Sequence, residues 1–485
     1  MLLNDILNKV NGTLLQGDIN VDIKDIVIDS RMANKNTLFV AMIGLSLDGH
    51  EFILKAYDNG CRAVIIERDV INIPQDMIVF KVDNAREALS VLAANFYDSP
   101  SSKINMIGVT GTNGKTSTTY FIESILKYCS RKTGVIGTVG ITIDGKKQDI
   151  KIATSTTPDI LELSSIIDIM HKDKCDDVIM EVSSHGLDMK RVDNIRFNIG
   201  VFTNLTQDHL DYHKTMDNYC KAKAKLFNMC EYGIINVDDE YSDEIIKNAS
   251  CKIMTYSTNK PSDLQAKNIV YKMDKVLFTV SIKGQEVAFE LNVPGAFSVY
   301  NCLSAIGVAL NMDIPLPDIV EGVRNIKGVP GRIQNISNDK GFNVIVDYAH
   351  TPAGLENIIS TVREFTTNNV ITVFGCGGDR DKTKRPIMGE VVAKMSDMTF
   401  ITSDNPRTEE PKEILKDIEA GVKPITDKYE MIVDRKEAIF KAILMAKAGD
   451  SVIIAGKGHE DYQILKDKTI HFDDVEVAKE ALGDI

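Results

Sequence analysis

A chain of 485 residues is longer than one hydrophobic core usually serves, so two to four domains are expected. With 44% hydrophobic and 26% charged residues it has the composition of an ordinary globular protein, and no run of about 18 apolar residues predicts a membrane span. A net charge of −13 argues against a general nucleic-acid binder and gives anionic ligands no long-range attraction, so any phosphate site has to be built locally.

The start, Met1-Leu-Leu-Asn-Asp-Ile-Leu-Asn-Lys9, carries an early Asp and reads as a first helix, not as a signal peptide. Residues 1–98 then alternate predicted strands (Ile26–Ile28, Leu38–Ala41, Ala63–Ile66, Ile78–Val82) with helices at Glu51–Asn59 and Ala85–Tyr97, a small α/β domain. Ser30 and Arg31 follow its first clear strand, at a strand end of the kind where open α/β sheets bind ligands; a solvated turn is the other reading. Asp98-Ser-Pro-Ser-Ser102 reads as a linker.

A second domain, 99–331, opens on the most informative stretch. The apolar run ending at Val109 stops at Thr110-Gly-Thr-Asn-Gly-Lys-Thr116, and a helix predicted over Ser117–Cys129 carries Phe121, Ile122, Ile125 and Leu126 on one stripe. Gly111 and Gly114 let backbone N–H groups approach a phosphate, Lys115 supplies a point charge, and Thr116 offers a hydroxyl to Mg²⁺. The spacing is GxxGKT; Gly108 lies one residue too far upstream for GxxxxGK[ST].

A hairpin is expected about Asp144-Gly145, and Thr154-Ser-Thr-Thr-Pro158 gathers hydroxyls before a helix at Asp159–His171, as ligand contacts or simple N-caps. Within the apolar strand Val178–Val182, Glu181 is costly unless a cation meets it, and Mg²⁺ beside the phosphate loop is the economical partner. The next strand, Ile199–Phe202, runs into the polar cluster Thr203–His213; Asp208 and His209 beside Glu181 suggest a second metal position. In the following helix Tyr219, Ala222, Lys223, Leu226 and Phe227 share one face, which turns Lys223 inward while Lys221 and Lys225 face out. An inward lysine is paired, neutral, chemically altered, or a snorkelling stem with its ammonium at the rim. Strand Tyr232–Val237, hairpins over 269–293 and helices at Val299–Leu310 and Pro317–Asn325 lead to Gly328-Val-Pro-Gly-Arg332, the expected boundary.

The third domain, 332–485, is a doubly wound sheet by its strands Asn343–Val346, Val370–Phe374, Met398–Thr402, Glu430–Val433 and Ser451–Ala455 and their interleaved amphipathic helices. Four strand ends carry Asp347-Tyr-Ala-His350, Gly375-Cys-Gly-Gly-Asp-Arg380, Ser403-Asp-Asn-Pro-Arg407 and Gly456-Lys-Gly-His-Glu460, a substrate crevice rich in Arg and carboxylate. The eight cysteines are scattered without CxxC spacing and are expected to be free thiols in a reducing cytoplasm.

Taken together, Thr110–Thr116, Glu181-Val-Ser-Ser-His185, Asn204–His209, Tyr219-x-x-Ala-Lys223, Gly331-Arg332, Asp347–His350 and Asp404-Asn-Pro-Arg407 resemble the Mur ligases. Within that family they look like the type that adds the third residue of the peptidoglycan stem peptide. The resemblance spans Ser30 to Glu460. It implies three domains, for the UDP end of the substrate, for ATP and for the incoming amino acid. It also implies a monomer that adds meso-diaminopimelate to UDP-N-acetylmuramoyl-L-Ala-D-Glu, with ATP and Mg²⁺, through an acyl phosphate.

By the same resemblance, ATP would meet Gly111, Thr112, Asn113, Gly114, Lys115, Thr116, Ser117, Asn301, Arg332, Asp347 and His350. The nucleotide-sugar peptide would meet Ser30, Arg31, Thr156, Thr157, Ser183 and Arg191. Thr116 and Glu181 would hold one Mg²⁺; Glu181, His209 and Lys223, carbamylated to N6-carboxylysine, would hold a second. Lys115, Lys223, His209 and Arg332 would be catalytic. Diaminopimelate would meet Arg380, Asp404, Asn405, Arg407, Gly456 and Glu460, because a guanidinium grips the carboxylate that distinguishes it from L-lysine. The segment Gly295-Ala-Phe-Ser-Val-Tyr-Asn301 departs from the family pattern at Ser298, while Asn301 stays in register. An L-lysine-adding enzyme, a folylpolyglutamate-synthase-like ligase and a non-catalytic nucleotide-binding protein are the alternatives.

Overall fold

The computed structural model describes residues 1–483 except 45–46, 151, 153, 155, 273–274 and 330. Three main sheets follow one another along the chain. In the first, strands Ile78–Val82, Ala63–Ile66, Thr37–Val40 and Asp25–Val27 lie parallel in that order, and Gly12–Gln16 closes one edge antiparallel to Ile78–Val82. Gly12–Gln16 was not expected; four of its five residues are exposed, and a solvated edge strand has no apolar pattern to read. The N-terminal helix is one short turn, Leu3–Ile6.

The second sheet has eleven strands among the described residues. Its parallel centre runs Lys252–Ser257, Cys230–Asn236, Phe197–Phe202, Asn105–Thr110, Asp177–Glu181, Thr133–Gly137. On one side Leu264–Tyr271 continues the parallel run and Val276–Ile282 and Gln285–Leu291 follow it antiparallel; on the other, Gly140–Ile143 and Lys146–Lys147 extend the edge antiparallel. The last pair turns at Asp144-Gly145, as expected. Strand Asp177–Glu181 is buried throughout, which suits a parallel strand covered on both faces.

The third sheet is ordered Gln334–Asn335, Asn343–Asp347, Ser451–Ala455, Val370–Phe374, Met398–Thr402, Tyr429–Ile432, parallel apart from its first strand. Helices Pro352–Arg363, Lys384–Met395 and Pro411–Val422 pack on one face through Leu355, Met388 and Ile418; Arg435–Met445 and Asp474–Leu482 pack on the other through Ile439 and Ala478. The sheet is therefore doubly wound. A small hairpin, Tyr462–Leu465 with Lys468–His471, follows the strand Ser451–Ala455.

The first two sheets share a core. Leu89, Leu92 and Ala93 of helix Ala85–Phe96 join Ile160, Leu163 and Ile167 of helix Ile160–Lys172 in one apolar cluster. Arg86 Nη1 donates to both carboxylate oxygens of Asp159 at 2.8 Å, and Asn194 Nδ2 donates to Ser90 Oγ at 2.7 Å. This packing explains why Asp98–Ser102 is not the loose linker expected: it forms a short 3₁₀ turn, Pro100–Ser102, with Ser101 buried. The third sheet keeps apolar clusters of its own. All eight cysteines are free thiols, and no described helix is long and apolar enough to cross a membrane.

One buried ion pair positions two strand ends of the third sheet. Arg435 donates to Asp474 through Nε (2.8 Å) and Nη2 (2.7 Å), with both side chains wholly buried, and Nη2 also reaches Ala455 O at 3.0 Å. Asp474→Ala leaves a buried guanidinium without its counter-charge and is expected to cost about 3–5 kcal/mol in chemical denaturation. The double change Arg435→Met with Asp474→Leu is expected to recover most of that loss.

Candidate active site

The strand Asn105–Thr110 ends at the phosphate loop, and helix Lys115–Tyr128 begins two residues before the predicted Ser117. Gly114 caps that helix at φ +84°, where a Cβ would lie 2.6 Å from Asn301 Oδ1. Only glycine fits that approach. The loop is fastened to the end of the neighbouring strand: Thr112 N donates to Asn204 O (2.8 Å), Asn113 N to Asn204 Oδ1 (2.9 Å), and Thr203 Oγ1 to Asn113 O (2.6 Å). Lys115 Nζ folds back onto Gly111 O and Thr112 O, each at 2.9 Å.

Glu181 sits beside this loop with 1% exposure. It accepts from Thr116 Oγ1 and Thr138 N, both at 2.9 Å, and from Thr138 Oγ1 at 3.1 Å. A threonine hydroxyl and a carboxylate next to a phosphate loop are the oxygen donors that Mg²⁺ takes. Among the described residues no group of three or more His, Cys, Asp and Glu is arranged to hold a metal, so His209 joins no such cluster with Glu181. His209 adopts φ +54°, lies 3.5 Å from Asp208 Oδ2, and meets the His185 ring edge to face at 4.9 Å.

Lys223 is inward as its spacing predicts, with 1% exposure. Its ammonium lies 4.5 Å over the Tyr219 ring and has no carboxylate partner among the described residues. Burial, with the Lys115 charge nearby, holds it well below the ordinary lysine range. Tyr219 in turn stacks on His213 at 4.9 Å and reaches Thr112 Oγ1 at 3.2 Å.

A cleft of about 450 Å³ runs between the second and third sheets. Asn113, Gly114, Ser117 and Asn301 line one wall, Arg332, Asp347 and His350 the other. The Arg332 guanidinium lies 4.6 Å over the Tyr348 ring, and its Nε is buried without a hydrogen-bond partner among the described residues. Asp347 accepts from Ile333 N and Ala349 N, each at 2.8 Å, and so fixes the backbone beside Arg332.

A second cavity, about 900 Å³, opens at the strand ends of the first sheet and is lined by Ser30, Arg31, Asn84 and Arg86. Arg31 is clasped by its neighbour Asp29 through contacts of 2.6–3.0 Å. Thr156 Oγ1 lies 3.2 Å from Thr138 Oγ1; Thr157 Oγ1 lies 3.0 Å from Ser183 Oγ, and Arg191 Nη1 donates to Thr157 O at 3.3 Å. Ser183 also caps a short helix, accepting from Gly186 N at 3.0 Å, and Arg191 Nε is buried without a partner. Ser155 lies outside the described residues.

At the third sheet, Asn405 Nδ2 donates to Glu460 Oε2 (2.8 Å) and Asp404 Oδ1 accepts from Asn405 N (2.6 Å). Arg407, at φ +53°, donates Nη1 to Gly378 O at 2.8 Å, while its Nη2 and Nε have no partner among the described residues. Gly456 begins the loop that carries Glu460, and Arg380 is exposed at the rim.

Three family models match this architecture in turn: "Mur ligase family, catalytic domain" over residues 22–97, "Mur ligase middle domain" over 109–309 and "Mur ligase, glutamate ligase domain" over 331–458. The chain belongs to the Mur ligase family. This Mur ligase is 45% identical over 487 residues, covering 100% of both chains, to a protein of Clostridium acetobutylicum named UDP-N-acetylmuramoyl-L-alanyl-D-glutamate–2,6-diaminopimelate ligase 1. A Clostridioides difficile protein of that name is 46% identical over 487 residues, again covering 100% of both chains. A solved structure of a ligase so named aligns with TM-score 0.72 at 31% identity, covering 100% of this Mur ligase and 99% of that chain. Mycobacterium tuberculosis folylpolyglutamate synthase aligns with TM-score 0.64 at 16% identity over 82% of this chain and 95% of its own, a likeness of fold alone.

Some site residues of this Mur ligase carry no sequence signal of their own. Asp238 and Tyr300 line the cleft joined by a 2.8 Å hydrogen bond, yet Val237-Asp-Asp-Glu240 reads as a solvated turn. Lys457, wholly buried, donates to Glu460 Oε2 at 3.4 Å and to Tyr462 O. Inward spacing betrayed Lys223; a loop lysine has no period to betray it. Gly114→Ala, strained in backbone and crowded against Asn301, is expected to weaken nucleoside-triphosphate binding at least tenfold in calorimetric titration, with a far-UV circular dichroism spectrum like that of the parent.

Proposed function

We propose that this Mur ligase joins an amine of meso-diaminopimelate to the D-Glu γ-carboxylate of UDP-N-acetylmuramoyl-L-Ala-D-Glu, converting ATP to ADP and phosphate. The observation that carries the choice of amino acid is the Asp404–Arg407 turn, which holds a half-buried guanidinium with two nitrogens unspoken for beside the Asn405–Glu460 pair. A guanidinium so placed suits a carboxylate, and an aliphatic end without one leaves it unpaired. Full-length relatives of this chain, 43–46% identical, are named for that substrate.

In this reading the three cavities serve three substrates. Ser30 and Arg31 take the uracil end; Thr156, Thr157, Ser183 and Arg191 the sugar, diphosphate and peptide. The loop residues Gly111 to Ser117 cradle the triphosphate, with Asn301, Asp347 and His350 on the rest of the nucleotide. Arg380, Asp404, Asn405, Arg407, Gly456 and Glu460 take diaminopimelate. The γ-carboxylate attacks the γ-phosphorus, ADP leaves, and the amine then displaces phosphate from the acyl phosphate. Two anions meet in the first step, so Lys115 and Arg332 neutralise charge on the transferring group. Thr116 and Glu181 fit one Mg²⁺, which would supply further positive charge there when bound. Burial lowers the Lys223 amine towards the neutral form, the form that adds CO₂, and its carbamate with Glu181 and His209 would complete a second metal position. We propose a cytoplasmic monomer, in keeping with eight free thiols.

Phosphate release is expected with meso-diaminopimelate at a kcat/KM on the order of 10⁴ above that with L-lysine; equal or faster turnover with L-lysine overturns the assignment. Arg407→Ala is expected to lower kcat/KM for diaminopimelate about 100-fold while ADP binding, by calorimetry, changes less than threefold. Lys223→Ala is expected to be inactive and to regain turnover with added short-chain carboxylates, and CO₂-depleted enzyme to regain it with bicarbonate. Absence of both rescues removes the carbamate from the mechanism.

A further inference from the structure

One member of the Gly456–Glu460 loop has no task in the scheme above. Lys457 and Glu460 pair with each other and with Asn405, and Gly458 packs on Tyr348 and Gly331. His459 does none of this. Its Nδ1 is buried and has no hydrogen-bond partner among the described residues, although the loop around it is densely bonded. A buried polar atom left without a partner calls for an explanation, and an absent substrate group is one.

Its surroundings define its place. A Cβ on Gly331, at φ +68°, would lie 2.1 Å from His459 N, so glycine there lets the loop press against the residue before Arg332. The His459 ring lies 5.0 Å from the Tyr348 ring, over whose centroid the Arg332 guanidinium sits at 4.6 Å. The Thr138 carbonyl, from the residue that binds Glu181, faces the imidazole from the second sheet. Tyr348 also extends its hydroxyl towards Glu460 Oε1, at 3.4 Å. His459 thus shares the Tyr348 ring with the arginine proposed for the phosphoryl group and is next in the chain to Glu460, the carboxylate proposed for the amino acid, which the Tyr348 hydroxyl also approaches. That is where the bond between them has to form.

An amino-acid amine arrives protonated and has to shed protons to become an amide. Among the neighbouring groups, Glu460 Oε2 is engaged by Asn405 and Lys457, and Asp404 by the Asn405 N–H. We propose that His459 is the catalytic proton acceptor of the second half-reaction, taking a proton from the diaminopimelate amine through Nδ1 as it attacks the acyl phosphate. The amine nitrogen forms the C–N bond, the C–O bond to phosphate breaks with its electron pair leaving on phosphate, and of the two protons the ammonium sheds, one ends on the imidazole and the other on the departing phosphate. Burial, aided by the Arg332 and Lys147 charges and opposed by Asp461 and the Thr138 backbone carbonyl, pushes the imidazole down to about 4, so it is neutral at neutral pH. This rests on the diaminopimelate-ligase reading.

The test compares two nucleophiles on the full-length enzyme with ATP and the UDP-linked dipeptide: meso-diaminopimelate, whose amines are protonated at neutral pH, and hydroxylamine, which is largely unprotonated and traps the acyl phosphate as a hydroxamate. In His459→Gln the ratio of diaminopimelate to hydroxylamine turnover is expected to fall about 100-fold. The deficit is expected to shrink as pH rises and frees the amine. His459→Asn serves as a second variant should Gln misfold, and His459→Ala is expected to regain turnover with added imidazole. A ratio within threefold of the parent in a folded variant overturns the role of His459. A parent enzyme inert towards diaminopimelate but active with another amino acid overturns instead the substrate reading.

Discussion

A carboxylate buried at the end of a central strand is the constraint around which this molecule is arranged. Glu181 lies within an almost wholly apolar parallel strand, where an ionised group is costly unless polar partners meet it. Its partners come from two directions: Thr116 at the start of the phosphate-loop helix, and Thr138 in the turn after the adjacent strand Thr133–Gly137. Satisfying one carboxylate therefore fixes the spacing between three strand ends. The loop itself is held by Thr203 and Asn204 from a fourth. Lys115, in this arrangement, lies against loop carbonyls at a distance suited to rotate onto a phosphate.

Apolar packing divides the molecule differently from its three sheets. The first and second share a cluster through helices Ala85–Phe96 and Ile160–Lys172 and are joined by the Arg86–Asp159 pair. The third has clusters on both its own faces, and it meets the second across a cleft lined by both polar and apolar residues. Arg332 stands where the chain crosses between the two, and Asp347 holds the backbone next to it.

Much of this was legible from residue order. The strands Ala63–Ile66, Ile78–Val82, Val370–Phe374, Met398–Thr402 and Ser451–Ala455 have the bounds their apolar runs predict. The inward turn of Lys223 followed from helical spacing alone. What escaped was either solvated or held by distant contacts. Gly12–Gln16 is an exposed edge, Pro100–Ser102 is ordered by packing between units, and Arg31 turned out to be clasped by the residue two before it. The partners of His209 are rings of His185 and Tyr219, brought there by three separate elements.

By itself the sequence determined the α/β alternation, the phosphate loop, the inward lysine and the presence of polar clusters at strand ends, since each depends on periodicity or on residues adjacent in the chain. Only the tertiary structure decided that Thr116 and Thr138 share Glu181, that Arg332 lies over Tyr348, and that His459 keeps a buried nitrogen unpartnered among the described residues. Those are through-space facts between residues distant in the chain, and no local pattern encodes a distance across a sheet.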